Sequence, residues 1–134
     1  FIGEKRLNES ERLTVDDVMI GNPVTVALTR GLAHGAKLMK QHRVNGLLVV
    51  DKNRMFKGVV TKEMLERHYH EEDLTVQEIM RTDIPAVQLG TGVEEAVNTM
   101  KQLGTTSIPV VSADGKLAGI VTNSSLIDAL LKQI

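Results

Sequence analysis

GVVTKEML, residues 58–65, and GIVTNSSL, residues 119–126, carry the same punctuation: Gly, two β-branched residues, Thr, three variable positions and Leu. A shift of 61 residues brings the two stretches together and extends well beyond them. It sets Thr14-Val15 on Thr75-Val76, Met19 on Met80, Val26 and Leu28 on Val87 and Leu89, and Gly31 on Gly92. It also sets Met39-Lys40-Gln41 on Met100-Lys101-Gln102, Val49-Val50 on Val110-Val111, and Gly58, Val60, Thr61 and Leu65 on Gly119, Val121, Thr122 and Leu126. Those are 15 identities over 52 positions without a gap, and three of the other pairs exchange Val for Ile or Asp for Glu. The chain is two copies of one unit, and such a repeat governs how every element is read.

The whole chain has 134 residues, about the length of one domain. One copy alone is at a size where burying enough apolar surface is difficult, so the two copies are expected to pack on each other. Apolar residues make up 42%, but the only aromatics are Phe1, Phe56 and Tyr69, so the core must be Val, Ile, Leu and Met. So few aromatics leave no stacking platform for single strands. The net charge of −1 gives no footprint for duplexes, and nucleic acid is excluded as a partner. Without Cys there is no disulfide framework and no thiolate zinc site, a composition that suits the cytoplasm. No apolar run approaches the roughly 20 residues of a membrane-spanning helix, and no secretory signal is visible. Because the chain opens on Phe1 and not Met, it reads as a piece of a longer protein.

Each copy spells β-α-β-β-α after a short helical turn, at Val15–Met19 or Val76–Met80. Val24–Leu28 alternates as a short strand should. Leu32, Gly35, Ala36 and Met39 share one helical face, as do Val93, Ala96, Val97, Met100 and Leu103 in the second copy. Thr91 with Glu94 has the spacing of a capping box for the second of these helices. Gly46–Val50 is a continuous apolar run, hence a buried strand. Polar turns follow at 51–54 and 112–115, the latter carrying Asp-Gly. Strands at 56–61 and 117–122 lead into helices at 62–68 and 123–132. The expected class is α+β, with repeats at 14–70 and 71–134 after an end segment at 1–13. The copies are expected to pack sheet to sheet about a pseudo-twofold axis, leaving two clefts floored by strand ends and a helix start.

This doubled order, with Asp17-Val18-Met19 running to Pro23, Ile108-Pro109-Val110-Val111 and the two Gly-h-h-Thr ends, resembles the tandem CBS (Bateman) module. The resemblance covers about residues 14–132. It implies a regulatory, non-catalytic pair that dimerises and holds adenine nucleotides in its clefts. Residues 1–7, FIGEKRL, resemble the end of the ATPase domain of osmoprotectant ABC transporters, where a CBS pair follows directly. That likeness implies a transporter ATPase domain and membrane subunit as partners, at the inner face of the cell membrane. It also implies cyclic di-AMP, or another adenine nucleotide, as an effector that shuts uptake down, with no cofactor required. Ligand contacts are then expected from Val24, Thr25, Gly46, Leu47 and Thr61 in the first copy, and from Ala86, Ser107, Ile108, Pro109 and Thr122 in the second. Tyr69 would flank the ligand, and Arg81, Lys62 and Arg43 are the candidate phosphate partners.

The sequence departs from the nucleotide-binding form of the module at one position in each copy. That form reads Gly-h-x-Thr/Ser-x-x-Asp, and its carboxylate accepts bonds from both ribose hydroxyls. Here Met64 and Ser125 stand in its place. AMP or ATP held in that way is therefore not expected, and a ligand-free dimerisation or ionic-strength-sensing pair is the alternative, as is a CBS pair of another host. Thr61 and Thr122 are also well placed to cap the helices they precede, and Gly58 and Gly119 point to a close backbone approach. His68, His70 and the acids 71–73 do not share the spacing of a metal site, and no metal is expected. No nucleophile triad, phosphate loop or paired carboxylates appear, so no catalysis is expected.

Overall fold

The computed structural model describes residues 13–132, so the segment read as the end of a preceding domain lies outside the described residues, apart from Leu13. The first repeat runs α1 (Val15–Val18), β1 (Thr25–Ala27), α2 (Leu32–His42), β2 (Gly46–Val50), β3 (Phe56–Thr61) and α3 (Lys62–His68). The second runs α4 (Val76–Ile79), β4 (Val87–Gln88), α5 (Val93–Leu103), β5 (Ser107–Val111), β6 (Leu117–Thr122) and α6 (Asn123–Lys132). Each repeat builds one three-stranded sheet, in the orders β1-β2-β3 and β4-β5-β6. β1 lies parallel to β2 with Val26 opposite Val49, and β3 returns antiparallel with Gly46 opposite Thr61. β4 lies parallel to β5 with Val87 opposite Val110. The fold is α+β, as the doubled pattern implies.

The compact units do not follow the chain order of the repeats. One unit comprises 23–84 with 115–117; the other comprises the described residues up to 22, 85–114 and from 118 on. The short helices are exchanged: α1 packs with the second sheet and α4 with the first. Ile20, just past α1, exchanges two backbone bonds with Ile120 at 2.8 and 3.1 Å. Arg81, just past α4, does the same with Val59 at 2.9 and 3.0 Å. Position 81 is 61 residues beyond position 20, as 120 is beyond 59, so the exchange is reciprocal. At the other end of the short helices, Val15 N–H donates to Thr91 O and Val76 N–H to Arg30 O, both at 2.8 Å.

Each core is aliphatic, as the scarcity of aromatics demands. In the first-repeat unit, Val26, Leu47, Val49, Val60 and Leu65 pack with Val76 of α4. In the other, Ala96, Met100, Ile108, Val110 and Val121 pack with Val15 and Val18 of α1. Burial of such side chains contributes about 1.5–3 kcal/mol each, and short helices of four residues owe their stability to it.

Several local expectations are corrected. The first strand, Thr25–Ala27, is shorter than 24–28: Val24 and Leu28 close its two ends with one bond each, Val24 O accepting from Leu48 N–H at 3.3 Å and Leu28 N–H donating to Val50 O at 3.0 Å. Thr91 and Glu94 form no capping box: Gly92 caps α5 with no side-chain bond. The carbonyl of Thr91 is instead turned to Val15, and Val93 N–H donates to Leu13 O at 3.0 Å. The capping boxes belong to the short helices. Asp17 accepts from Thr14 N–H at 2.9 Å, and Glu78 from Thr75 N–H at 2.7 Å. Ala36 and Leu103, expected on buried faces, are exposed, because the core takes only the residues nearest each sheet.

Candidate functional site

The start of β1, the start of β2 and the end of β3 meet at one end of the first sheet. Thr25 lies opposite Leu48, and Val24 O accepts from Leu48 N–H at 3.3 Å. Gly46 lies opposite Thr61. Asn45 O accepts from Lys62 N–H at 2.8 Å and ties the entry of β2 to the first turn of α3. Val24, Thr25, Gly46 and Thr61 are thus brought together, all half-buried. Leu47 is not available by its side chain, which is 1% exposed in the core.

The second repeat builds the same arrangement with different side chains. Thr106 O accepts from Asn123 N–H at 3.1 Å, the counterpart of the Asn45–Lys62 bond. Ala86 precedes β4, Ser107 opens β5 and Thr122 closes β6, each half-buried. Ile108 and Pro109 are buried.

The two threonines cap their helices, and the residue three positions on shows why neither repeat offers a carboxylate there. In the first, Thr61 Oγ1 accepts from Met64 N–H at 3.3 Å, while the Met64 side chain enters the core and is 6% exposed. In the second, Thr122 Oγ1 accepts from Ser125 N–H at 2.9 Å. Ser125 Oγ in turn accepts from Thr122 N–H at 2.9 Å and donates to Thr122 O at 3.0 Å. The Ser125 hydroxyl is spent inside this reciprocal cap, so it has no proton left for a ligand acceptor.

Arg81 is committed locally. Its Nε and Nη2 donate to the two carboxylate oxygens of Asp83, each at 3.1 Å. That fork raises Arg81 above its ordinary value and holds Asp83 below the usual carboxylate range. A phosphate at Arg81 would have to displace Asp83. Tyr69 is 67% exposed, its ring centroid 3.9 Å from that of His70. His68 Nδ1 is bonded to Glu71 at 2.5 Å, so the two histidines are engaged separately.

Tyr69, Lys62 and Arg43, each expected beside the ligand, line one cavity of about 610 Å³ in the first-repeat unit, together with Lys40, Asn45 and Glu66, and Arg81 is not among its lining residues. It lies between α2 and α3; Val24 and Thr25 do not line it, while Asn45 and Lys62 adjoin Gly46 and Thr61 in the chain. The available signal was the 61-residue comparison, since these positions differ between the copies.

Among the described residues, no helix is long and apolar enough to cross a membrane. The family model for the CBS domain matches twice, at residues 15–71 and 76–132. The chain is 37% identical, over its whole length, to the glycine betaine/carnitine/choline transport ATP-binding protein OpuCA of Bacillus subtilis, of which the match covers 36%. It is 37% identical over 96% of its length to the choline transport ATP-binding protein OpuBA of the same organism, covering 34% of that protein. The chain thus spans about a third of the length of these relatives. Among solved structures, Staphylococcus aureus OpuCA is 26% identical with a TM-score of 0.76, covering 87% of this chain and 98% of that one. A complex of CBSX2 with AMP is 28% identical with a TM-score of 0.79, covering 89% and 96%.

Proposed function

This chain belongs to the CBS-domain family, which it carries in tandem, and we propose that it is the regulatory pair of an osmoprotectant transporter's ATP-binding subunit, sensing cyclic di-AMP. The whole-length similarity to OpuCA and OpuBA supports the host. The AMP complex of CBSX2 supports an adenine ligand. The observation that carries the choice of ligand is the loss of the carboxylate at Met64 and Ser125, one buried in the core and the other closed into its own cap. AMP and ATP present vicinal ribose hydroxyls and need a double acceptor. A cyclic 3′,5′-dinucleotide has its 3′ oxygen esterified and presents no such pair, so the missing carboxylates cost it nothing.

On this reading Val24, Thr25, Gly46 and Thr61, and Ala86, Ser107 and Thr122, supply the contacts, while Leu47, Ile108 and Pro109 contribute only backbone groups. The pair itself is not an enzyme. Its effect is linkage: a ligand that favours one arrangement of paired subunits shifts the ATPase toward it by the difference in affinity. α6 exposes Ile127, Leu130 and Leu131, at 56, 60 and 62%, on one face, which favours a homodimer. In the full protein the module would work at the cytoplasmic face of the membrane, against the ATPase domain and membrane subunit.

Calorimetric titration with cyclic di-AMP, AMP and ATP tests this. Binding of cyclic di-AMP alone is the expected result; binding of AMP in preference overturns the argument from the carboxylates.

A second reading rests on the Thr122–Ser125 cap, which satisfies that helix start without any ligand. The pair would then serve dimerisation or respond to ionic strength. No heat with any nucleotide, and a dimer equilibrium that shifts with salt in sedimentation, would establish it.

A further inference from the structure

The chain has no cysteine, so its 6 methionines hold all of its sulfur. They fall into two groups. Met39, Met64 and Met100 sit in the cores, at 5, 6 and 3% exposure. Met19, Met55 and Met80 are half-buried, and each lies against a glycine. A β-carbon on Gly119 would be 2.7 Å from the Met19 sulfur, and one on Gly58 would be 3.2 Å from the Met80 sulfur. Met55 differs: it meets the β-carbon position of Gly115 with its methyl group, at 2.8 Å, and its sulfur stands off at 3.8 Å.

Met19 and Met80 are equivalent across the 61-residue repeat, as are Gly58 and Gly119. Each methionine directly precedes the residue that makes the exchange. Ile20 O accepts from Ile120 N–H at 3.1 Å, and Arg81 O from Val59 N–H at 3.0 Å. That carbonyl and the methionine sulfur converge on the same glycine. Each exchanged segment is held to its strand by one isolated bridge, a pairing open to local release. Packing asks here only for an apolar side chain of this volume, which leucine would supply at small cost. Methionine adds a thioether that solvent can reach.

From these features we infer that Met19 and Met80 are a pair of oxidation sites through which a peroxide releases the exchanged segments. The sulfur lone pair takes one oxygen atom from the O–O bond. Sulfur loses two electrons and becomes a sulfoxide; hydrogen peroxide gains them and leaves as water. The new oxygen is a hydrogen-bond acceptor set beside a carbonyl that is an acceptor too. Two acceptors then compete for one strand N–H, that of Val59 in one unit and of Ile120 in the other, in place of an apolar contact. A methionine sulfoxide reductase returns the thioether, so the release is reversible. Neither site depends on a nucleotide being bound.

The test treats the full chain with hydrogen peroxide and follows each methionine by peptide mass spectrometry. Met19 and Met80 should oxidise at least about tenfold faster than Met39, Met64 and Met100. With both sulfoxides formed, the thermal midpoint should fall by at least about 5 °C. Amide exchange at Ile20, Val59, Arg81 and Ile120 should quicken at least about tenfold, and reductase treatment should reverse both effects. The double variant Met19→Leu/Met80→Leu should keep its midpoint under the same treatment, although Met55 is still oxidised. Should that variant prove unstable, Met80→Leu alone should keep exchange slow at Val59 and Arg81 while Ile20 and Ile120 are released. Equal oxidation rates at all the methionines would overturn the inference. So would unchanged exchange at the four amides once both sulfoxides are present, or an equal fall in midpoint in the leucine variants.

Discussion

A β-carbon placed on Gly58 would lie 2.2 Å from the carbonyl oxygen of Arg81, closer than any side chain can sit. The repeat shows the same relationship between Gly119 and Ile20, at 2.6 Å, with the Met19 sulfur at 2.7 Å. Glycine is required because the segment after each short helix pairs directly with a hairpin strand, Arg81 with Val59 and Ile20 with Ile120. Gly58→Ala must push a backbone carbonyl aside and break that pairing. Chemical denaturation should show a loss of about 2–4 kcal/mol, with Gly119→Ala behaving alike. A loss below about 0.5 kcal/mol would mean that the exchanged segments contribute little to folding.

The left-handed arginines predict the opposite sign. Arg43 ends α2 at φ 55°. Arg43→Gly relieves a strained backbone and gives up some unfolded-state restriction, so stability should rise by about 0.5–1 kcal/mol. Arg54 has φ 65°, at the position of Gly115 with φ 90°. Its Nε donates to Leu117 O at 3.3 Å, so Arg54→Gly should gain less. Thermal unfolding of the two variants checks the order.

Position 125 offers a gain of function. Ser125→Ala removes both bonds of its hydroxyl and should cost about 1 kcal/mol. Ser125→Asp keeps an acceptor for Thr122 N–H and adds a second carboxylate oxygen. It should create measurable AMP affinity in calorimetry where the unsubstituted chain has little. Met64→Asp should not do the same, because it places a carboxylate where Met64 fills the core, and a cost of roughly 3 kcal/mol or more is expected.

The doubled fold could be read from residues because Gly-h-h-Thr marks both hairpin ends, and helices 62–68 and 123–132 begin immediately after Thr61 and Thr122. The exchange of α1 and α4 could not. Ile20 and Ile120 are a hundred residues apart, and nothing local to either announces the other. Gly58 and Gly119 carried the only trace, as glycines in strands that asked for a close neighbour. The candidate strand-end residues are expectations drawn from the family resemblance. Ser125 shows the limit, since a hydroxyl reads as an available donor until its partners are known. Arg43, Lys62 and Tyr69 were expected one by one as ligand partners; that they line one cavity follows only once α2 and α3 are set side by side.

Asp51 makes stability depend on pH in a defined direction. Burial alone would raise its carboxyl, but the amides of Met55 and Asn53, at 3.0 and 2.8 Å, and then Lys57 and Lys52, leave it below its ordinary value of 3.8. A depressed folded value means that the unfolded chain takes up the proton first as pH falls. The contribution of Asp51 is therefore full above about the ordinary value and is lost as pH drops through the lower, folded one. Asp51→Asn keeps the one oxygen, Oδ1, to which both amides donate, but cannot carry the charge. The thermal midpoints of the two proteins should differ at neutral pH and converge on acidification. A gap that persists unchanged in strong acid would show that the turn at 51–55 depends on the shape of the side chain and not on its ionisation.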